Sequence, residues 1–283
     1  MKAAGGVPRA EPFFLKSDPG QRFCLLHRPA GRCLGAVLYV HPFAEEMNRT
    51  RRMAALQARQ LAALGYAVLQ IDLYGCGDSS GDFGDARWDL WKQDLAAGAA
   101  WLHERFGCPV SLWGMRLGAL LVLDYARTAA VPLGPLLLWQ PVSNGASYLT
   151  QFLRLRMAGA LLADTTSAQN STRALREVLH AGETLEIGGY DLAPALALAI
   201  DGLPAPETMA PAVPVHWFEI LNATGQTLPP AAARVTAEWT RQGVDLQVHA
   251  LHGPPFWATS EITVCPALLE ATASALQVNV HEH

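Results

Sequence analysis

Hydrophobic residues along this chain fall into two kinds of block, and the two kinds alternate. Residues 35–40, 66–71, 110–114, 136–142, 215–220 and 245–251 are near-continuous apolar runs of strand length. Such runs read as strands buried on both faces, as in a parallel sheet covered by helices. Between them lie stretches with apolar positions every three or four residues, at about 48–64, 85–106, 117–127, 231–241 and 261–276. In the first, Met53, Leu56 and Leu61 share one face, opposite Arg49, Arg51, Arg52 and Arg59, and Gly65 stops the helix. Strand, helix and strand in repeated order predict an α/β fold, a mostly parallel, doubly wound sheet. Residues 12–16 and 21–29 instead alternate apolar and polar positions around Asp18-Pro19-Gly20, which predicts an antiparallel hairpin at one sheet edge.

From residue 143 to about 208 the rhythm breaks. Helices are expected at 148–162, 172–180 and 194–203, with no core strand. The organisation expected is one domain over 1–283 with a helical insertion at 143–208. Within it, Ala158–Ala163 and Ala195–Ile200 are small and apolar, and at helical spacing they read as packed core rather than as a channel.

Apolar residues make up 51% of the chain, enough to cover both faces of a sheet. The net charge of −4 carries no block of like charges, which argues against nucleic acid as a partner. Cys24, Cys33, Cys76, Cys108 and Cys265 are scattered and form no C-x-x-C pair, so free thiols in a reducing compartment are expected and neither a metal nor another cofactor is. Residues 1–8 lack the apolar core of a signal peptide and no apolar run reaches membrane-spanning length, so the protein is expected to be cytoplasmic, without membrane insertion.

The chemistry centres on Val110–Leu121, a strand, a sharp turn and a helix. The turn, Gly114-Met115-Arg116-Leu117-Gly118, has the form G-x-R-x-G. It resembles the G-x-S-x-G nucleophile elbow of α/β-hydrolases, in which a strained turn lifts a serine above the sheet. With the Asp-x-x-Gly-x-Gly-x-Ser loop at Asp72–Ser79 and the insertion, the chain resembles that superfamily over nearly its whole length. Five stretches are similar to the exosortase A system-associated hydrolase 2 family: His41–Asn48, Trp113–Ala119, Trp139–Val142, Gln151–Arg156 and Pro255–Trp257. The resemblance implies an α/β-hydrolase fold in which residues 143–208 form a lid. It also implies a bacterial hydrolase of an ester or thioester in envelope or exopolysaccharide metabolism, with a protein partner in the exosortase machinery.

Position by position, the triad is incomplete. The nucleophile position holds Arg116, whose guanidinium stays protonated and only donates hydrogen bonds. The acid is expected after residue 220, where Leu221–Thr227 contain no carboxylate; Glu219 lies inside the strand. The base position fits His252, with His249 as runner-up. Ser79, Cys76 and Ser143 are alternative nucleophiles, each better read as structural. Around the apex, the fold implies a ligand pocket lined by His41, Glu45 and Glu46 after the first parallel strand, Met115 and Leu117 beside Arg116, and Ser143. A cation at a partly buried helix start needs an anion. Either Glu45 or Glu46 supplies it, or a carboxylate or phosphate ligand does, held with helix N–H groups and His252. The residues therefore leave four readings open. They are a divergent hydrolase, an enzyme with an unorthodox nucleophile, a noncatalytic receptor for an anionic or acylated small molecule, and a partner-binding subunit.

Overall fold

A computed structural model of the chain describes residues 10–29, 31–162, 171–222, 225–259 and 261–278. The strands are β1 (Ala10–Lys16), β2 (Gln21–His27), β3 (Gly35–Val40), β4 (Tyr66–Ile71), β5 (Val110–Met115), β6 (Leu133–Trp139), β7 (Leu185–Ile187), β8 (Tyr190–Leu192), β9 (Val215–Leu221) and β10 (Leu246–His252). The helices are α1 (Glu45–Ala63), α2 (Trp88–Phe106), α3 (Leu117–Ala126), α4 (Gly145–Leu162), α5 (Thr172–His180), α6 (Pro194–Asp201), α7 (Pro230–Arg241) and α8 (Pro266–Val278).

Eight strands form one sheet in the order β1-β2-β4-β3-β5-β6-β9-β10. The six apolar runs are its contiguous parallel part, and the β1–β2 hairpin is antiparallel at one edge. Alternate residues of each strand feed two cores. Leu38, Leu69, Leu112, Leu136 and Trp217 face one way, and Val37, Val68, Trp113, Trp139 and Phe218 the other. Each core is closed by helices, which is why the central strands β3, β4 and β5 show no polar face in sequence.

Three elements depart from the sequence reading. Helix α1 begins at Glu45, three residues before the expected start, because two glutamates without apolar periodicity occupy its first turn, where the dipole favours acids. Strand β6 ends at Trp139, because Gln140 takes φ +43° and turns the chain before Pro141. The insertion is not purely helical: β7 and β8 form a hairpin across Gly188-Gly189. A two-residue Gly-Gly connection is a hairpin signal, but three-residue strands are too short for alternation to stand out. In α6, Leu196, Ala197 and Ile200 are buried as core. The side chains of Ala158–Ala163 lie outside the described residues.

The order places β3 between β4 and β5, so successive connections leave β3 in opposite directions. Loops at the carboxyl ends of β3 and β5 therefore diverge and open a crevice, the place where open α/β sheets hold ligands.

Candidate functional site

The turn after β5 has the strain of a nucleophile elbow without its nucleophile. Arg116 sits at φ 54°, ψ −120°, as the N-cap of α3. Its N–H donates to Trp139 O at 3.0 Å and its carbonyl accepts from Ala119 N at 3.1 Å. Both flanking glycines are required by close approach. A Cβ on Gly114 would lie 2.7 Å from the Ala119 Cα, and one on Gly118 2.5 Å from the His41 carbonyl oxygen. Gly118→Ala is therefore expected to lower stability by about 1–3 kcal/mol, as overpacking against backbone does. Gly84→Ala, at a position without positive φ where the added Cβ would come no nearer than 3.5 Å to its neighbours, serves as the control. Equal shifts in denaturant midpoint for the two variants would contradict this account.

Among the described residues, three non-glycines have positive φ: Ala44, Arg116 and Gln140. Each ends a turn at the carboxyl end of a neighbouring strand, β3, β5 or β6. Such conformations cost about 1–3 kcal/mol each and cluster where function over-determines the backbone.

The Arg116 side chain is 16% exposed and lies against Glu46 of α1, with Nε 3.2 Å from Glu46 Oε1. Tyr148 of α4 donates to the other oxygen, Oε2, at 3.0 Å. The guanidinium carbon is 5.8 Å from the Tyr148 ring centre and 5.4 Å from that of Trp257. Only Nε is thus engaged. Nη1 and Nη2, the edge that binds carboxylates in fork geometry, donate to no described residue. Of the two expected partners, Glu46 pairs with Arg116. Glu45 instead accepts from Tyr190 and Asn48 at the rim.

Two adjoining pockets meet at Arg116, Tyr148 and Gln151. One is open to solvent and is walled by Phe43, Phe152 and Leu155. The other, also open to solvent, presents Gln140, Ser143, Asn144, Ser147 and Glu219. Glu219 is a buried carboxyl on β9. Gln140 Nε2 donates to it at 2.7 Å and Trp217 Nε1 at 2.9 Å. Burial pushes the Glu219 carboxyl above the usual carboxylate range, opposed by those two donors and by Arg116. Burial raises Glu46 too, against the pull of Arg116 and Tyr148.

Several residues expected around the apex lie elsewhere. Met115 is fully buried in the core between the sheet, α1 and α8, because strand alternation turns it away from the crevice. His41 and Leu117 line a separate narrow apolar cleft with Phe43 and Trp88. His41 is internally committed: Nδ1 donates to Pro42 O at 2.7 Å and Nε2 accepts from Leu73 N at 3.3 Å. His252, expected at the base position, is the last residue of β10, its side chain is exposed, and it lines neither pocket at Arg116. Past it, Gly253-Pro254-Pro255 turns the chain inward, and the side chain delivered to Arg116 is the indole of Trp257. Ser143 does line the pocket. Ser79 does not: its hydroxyl donates to Asp72 O and accepts from Phe23 N, a turn-holding role. Cys76 is buried, and burial raises its thiol far above the range in which a thiolate forms.

Tyr148, Gln140, Gln151 and Trp257 were not singled out from sequence as site residues. The signal for Gln140 was the Gln-Pro step after an apolar run; for Tyr148 and Gln151 it was their spacing on a helix next to Ser143. Among the described residues no group of three or more His, Cys, Asp or Glu side chains is placed to hold a metal ion. No described helix is long and apolar enough to cross a membrane.

The fold is shared with esterases and lipases. A thermostable carboxyl esterase from Bacillus coagulans, in complex with glycerol, superposes with a TM-score of 0.67 at 15% identity, covering 96% of this chain and 99% of that one. A soluble variant of monoglyceride lipase from Saccharomyces cerevisiae, with a substrate analog, gives 0.64 at 14% identity, covering 100% and 98%. Est1E from Butyrivibrio proteoclasticus, bound to ferulic acid, gives 0.61 at 15% identity, covering 95% and 98%. Comparison with proteins of curated function gives no match. Residues 31–180, more than half of the chain and inclusive of the elbow, match the family described as serine aminopeptidase, S33 (Hydrolase_4), and the chain belongs to that family of the α/β-hydrolase superfamily.

Proposed function

We propose that this protein is a divergent α/β-hydrolase that has exchanged elbow chemistry for recognition, and that its crevice is a receptor for a small anionic ligand. One observation carries the reading. The elbow apex is a guanidinium held through Nε by Glu46, Nη1 and Nη2 donate to no described residue, and Arg116 lines both pockets. An anion there gains two parallel charge-assisted hydrogen bonds, flanked by the Tyr148 and Trp257 rings. The helical insertion acts as the lid: α4 supplies Tyr148 and Gln151 to the pocket wall.

The five stretches that resemble the exosortase A system-associated hydrolase 2 family all reach this site. They contribute Glu46, Arg116, Gln140, Gln151 and Trp257 in turn. That convergence supports a ligand drawn from the envelope or exopolysaccharide chemistry of such a system, and the five free cysteines support a cytoplasmic site of action.

Two outcomes test the reading. Fluorophosphonate should label no residue, and p-nitrophenyl esters should not turn over. Arg116→Ser should not restore hydrolysis, because no histidine lines the pocket to serve as base. Stoichiometric labelling of Ser143 would mean a working serine hydrolase and end the receptor reading. Calorimetric titration with butyrate and with inorganic phosphate should then show Arg116-dependent binding. Arg116→Met should weaken it by about 1.5–3 kcal/mol, the worth of hydrogen bonds to a charged group.

A further inference from the structure

The receptor reading leaves open which anion enters, and the charges already in the pocket narrow it. Among the residues lining the two pockets there is one cation, Arg116, and three carboxyls, Glu45, Glu46 and Glu219. Glu45 is half exposed and lies 3.7 Å from Arg49, so solvent and that arginine balance it. Glu219 is buried and Glu46 is largely so, with 21% of its side chain exposed. The groups facing Glu46 are Arg116 on the elbow, Tyr148 on α4, and Glu45 and Arg49 on α1. Those facing Glu219 are Arg116, the neutral donors Gln140 and Trp217, and the neutral start of α7 at Ala231 and Ala232. His252 of β10 points to solvent and lines neither pocket.

One guanidinium, paired with Glu46, is thus the single cation in pockets that also hold the buried carboxyl of Glu219. A bound anion adds a third negative group to a single positive one, in a space where uncompensated charge costs several kcal/mol. Closely placed like charges relieve this by one of them staying protonated. We infer that the ligand at Arg116 is a singly charged carboxylate, and that it enters together with one proton, taken from solvent onto Glu46 or Glu219. A phosphate monoester dianion would need two protons and is disfavoured. Burial supports the assignment, since it already draws both carboxyls toward their protonated forms. The Nη1/Nη2 fork suits a planar carboxylate, and the Phe43, Phe152 and Leu155 wall accommodates an apolar remainder.

The inference rests on the receptor reading, and calorimetry separates the two. Wild-type protein is titrated with butyrate and with inorganic phosphate in two buffers of widely different ionisation enthalpy. The buffer dependence should report about one proton taken up per butyrate near neutral pH, and the affinity should fall about tenfold per pH unit on the alkaline side. Phosphate should bind more weakly than butyrate. Glu46→Gln and Glu219→Gln should each bind butyrate at least as tightly as wild type, and in one of them proton uptake should fall to near zero. Arg116-dependent butyrate binding without proton uptake overturns this inference and leaves the receptor reading intact. Phosphate binding tighter than butyrate near neutral pH overturns the choice of ligand class. Absence of Arg116-dependent binding of either probe overturns both readings.

Discussion

Truncating Asp94 to alanine is expected to lower the unfolding free energy by about 3–5 kcal/mol, the loss typical of breaking a buried ion pair from one side. Asp94 lies on the buried face of α2, and Arg22 reaches it from β2, with Nε 2.6 Å from Asp94 Oδ1. Both side chains are fully excluded from solvent. Around them the other polar groups are mostly matched: Arg22 Nη1 donates to Pro19 O at 2.7 Å, and Asp94 Oδ2 accepts from Tyr74 N at 2.8 Å. The guanidinium also lies 4.6 Å from the Tyr74 ring centre. Removing the carboxylate strands a cation in a dry core, and its Nη2 has no hydrogen-bond partner among the described residues even with Asp94 present. It also unpins Tyr74, and with it the loop that closes the apolar cleft at Leu73 and Cys76. Replacing both partners by apolar residues, Arg22→Met with Asp94→Leu, should recover most of the loss, because the penalty comes from the unpaired charge. Denaturant midpoints of the single and double variants decide it. A double variant as unstable as Asp94→Ala would show that the pair itself, rather than its orphaned half, carries the stability.

The central parallel strands were legible because strands buried on both faces leave apolar runs of strand length, set apart by helical spacing and turn residues between them. The N-terminal hairpin was legible from alternation about Asp18-Pro19-Gly20. What escaped were features set by tertiary geometry. The exposure of His252 depends on the phase with which β10 ends, and one residue of difference turns a side chain from crevice to solvent. The arrival of Trp257 at Arg116 depends on the path of Gly253-Pro254-Pro255, which no local pattern encodes. Glu219 looked like a strand residue, and is one. It reaches the pocket because it lies two residues from the carboxyl end of β9, on the face that Gln140 also meets. The arginine at the apex was plain in sequence, and so was its need for an anion. Which glutamate answers that need was settled by α1 starting at Glu45, which places Glu46 rather than Glu45 toward the elbow.

His216 should make the fold sensitive to acid in a way that a single substitution removes. It lies on β9, is 2% exposed, and its Nδ1 sits 3.3 Å from His249 Nε2 on the neighbouring strand. Its Nε2 has no hydrogen-bond partner among the described residues. Burial, reinforced by the nearby His249, lowers its pKa from 6.5 to about 4. The folded protein therefore holds this imidazole neutral while the unfolded chain protonates it. Above the ordinary histidine value both states are neutral and the group contributes its full stabilisation. As pH falls below that value, the unfolded chain binds a proton that the folded one refuses, so stability is lost progressively until about pH 4. The span corresponds to about 3 kcal/mol. His27, His41 and His249, also lowered by burial, act with the same sign, whereas the raised carboxyls of Glu46 and Glu219 act against it. The net curve is therefore a sum, and the difference between wild type and His216→Gln isolates one contribution. Urea unfolding at a series of pH values from neutral to about pH 4 should show the variant losing less stability than wild type, by about 3 kcal/mol over the range. Parallel curves for the two proteins would mean that His216 is protonated alike in the folded and unfolded states, and that its burial is not maintained in solution.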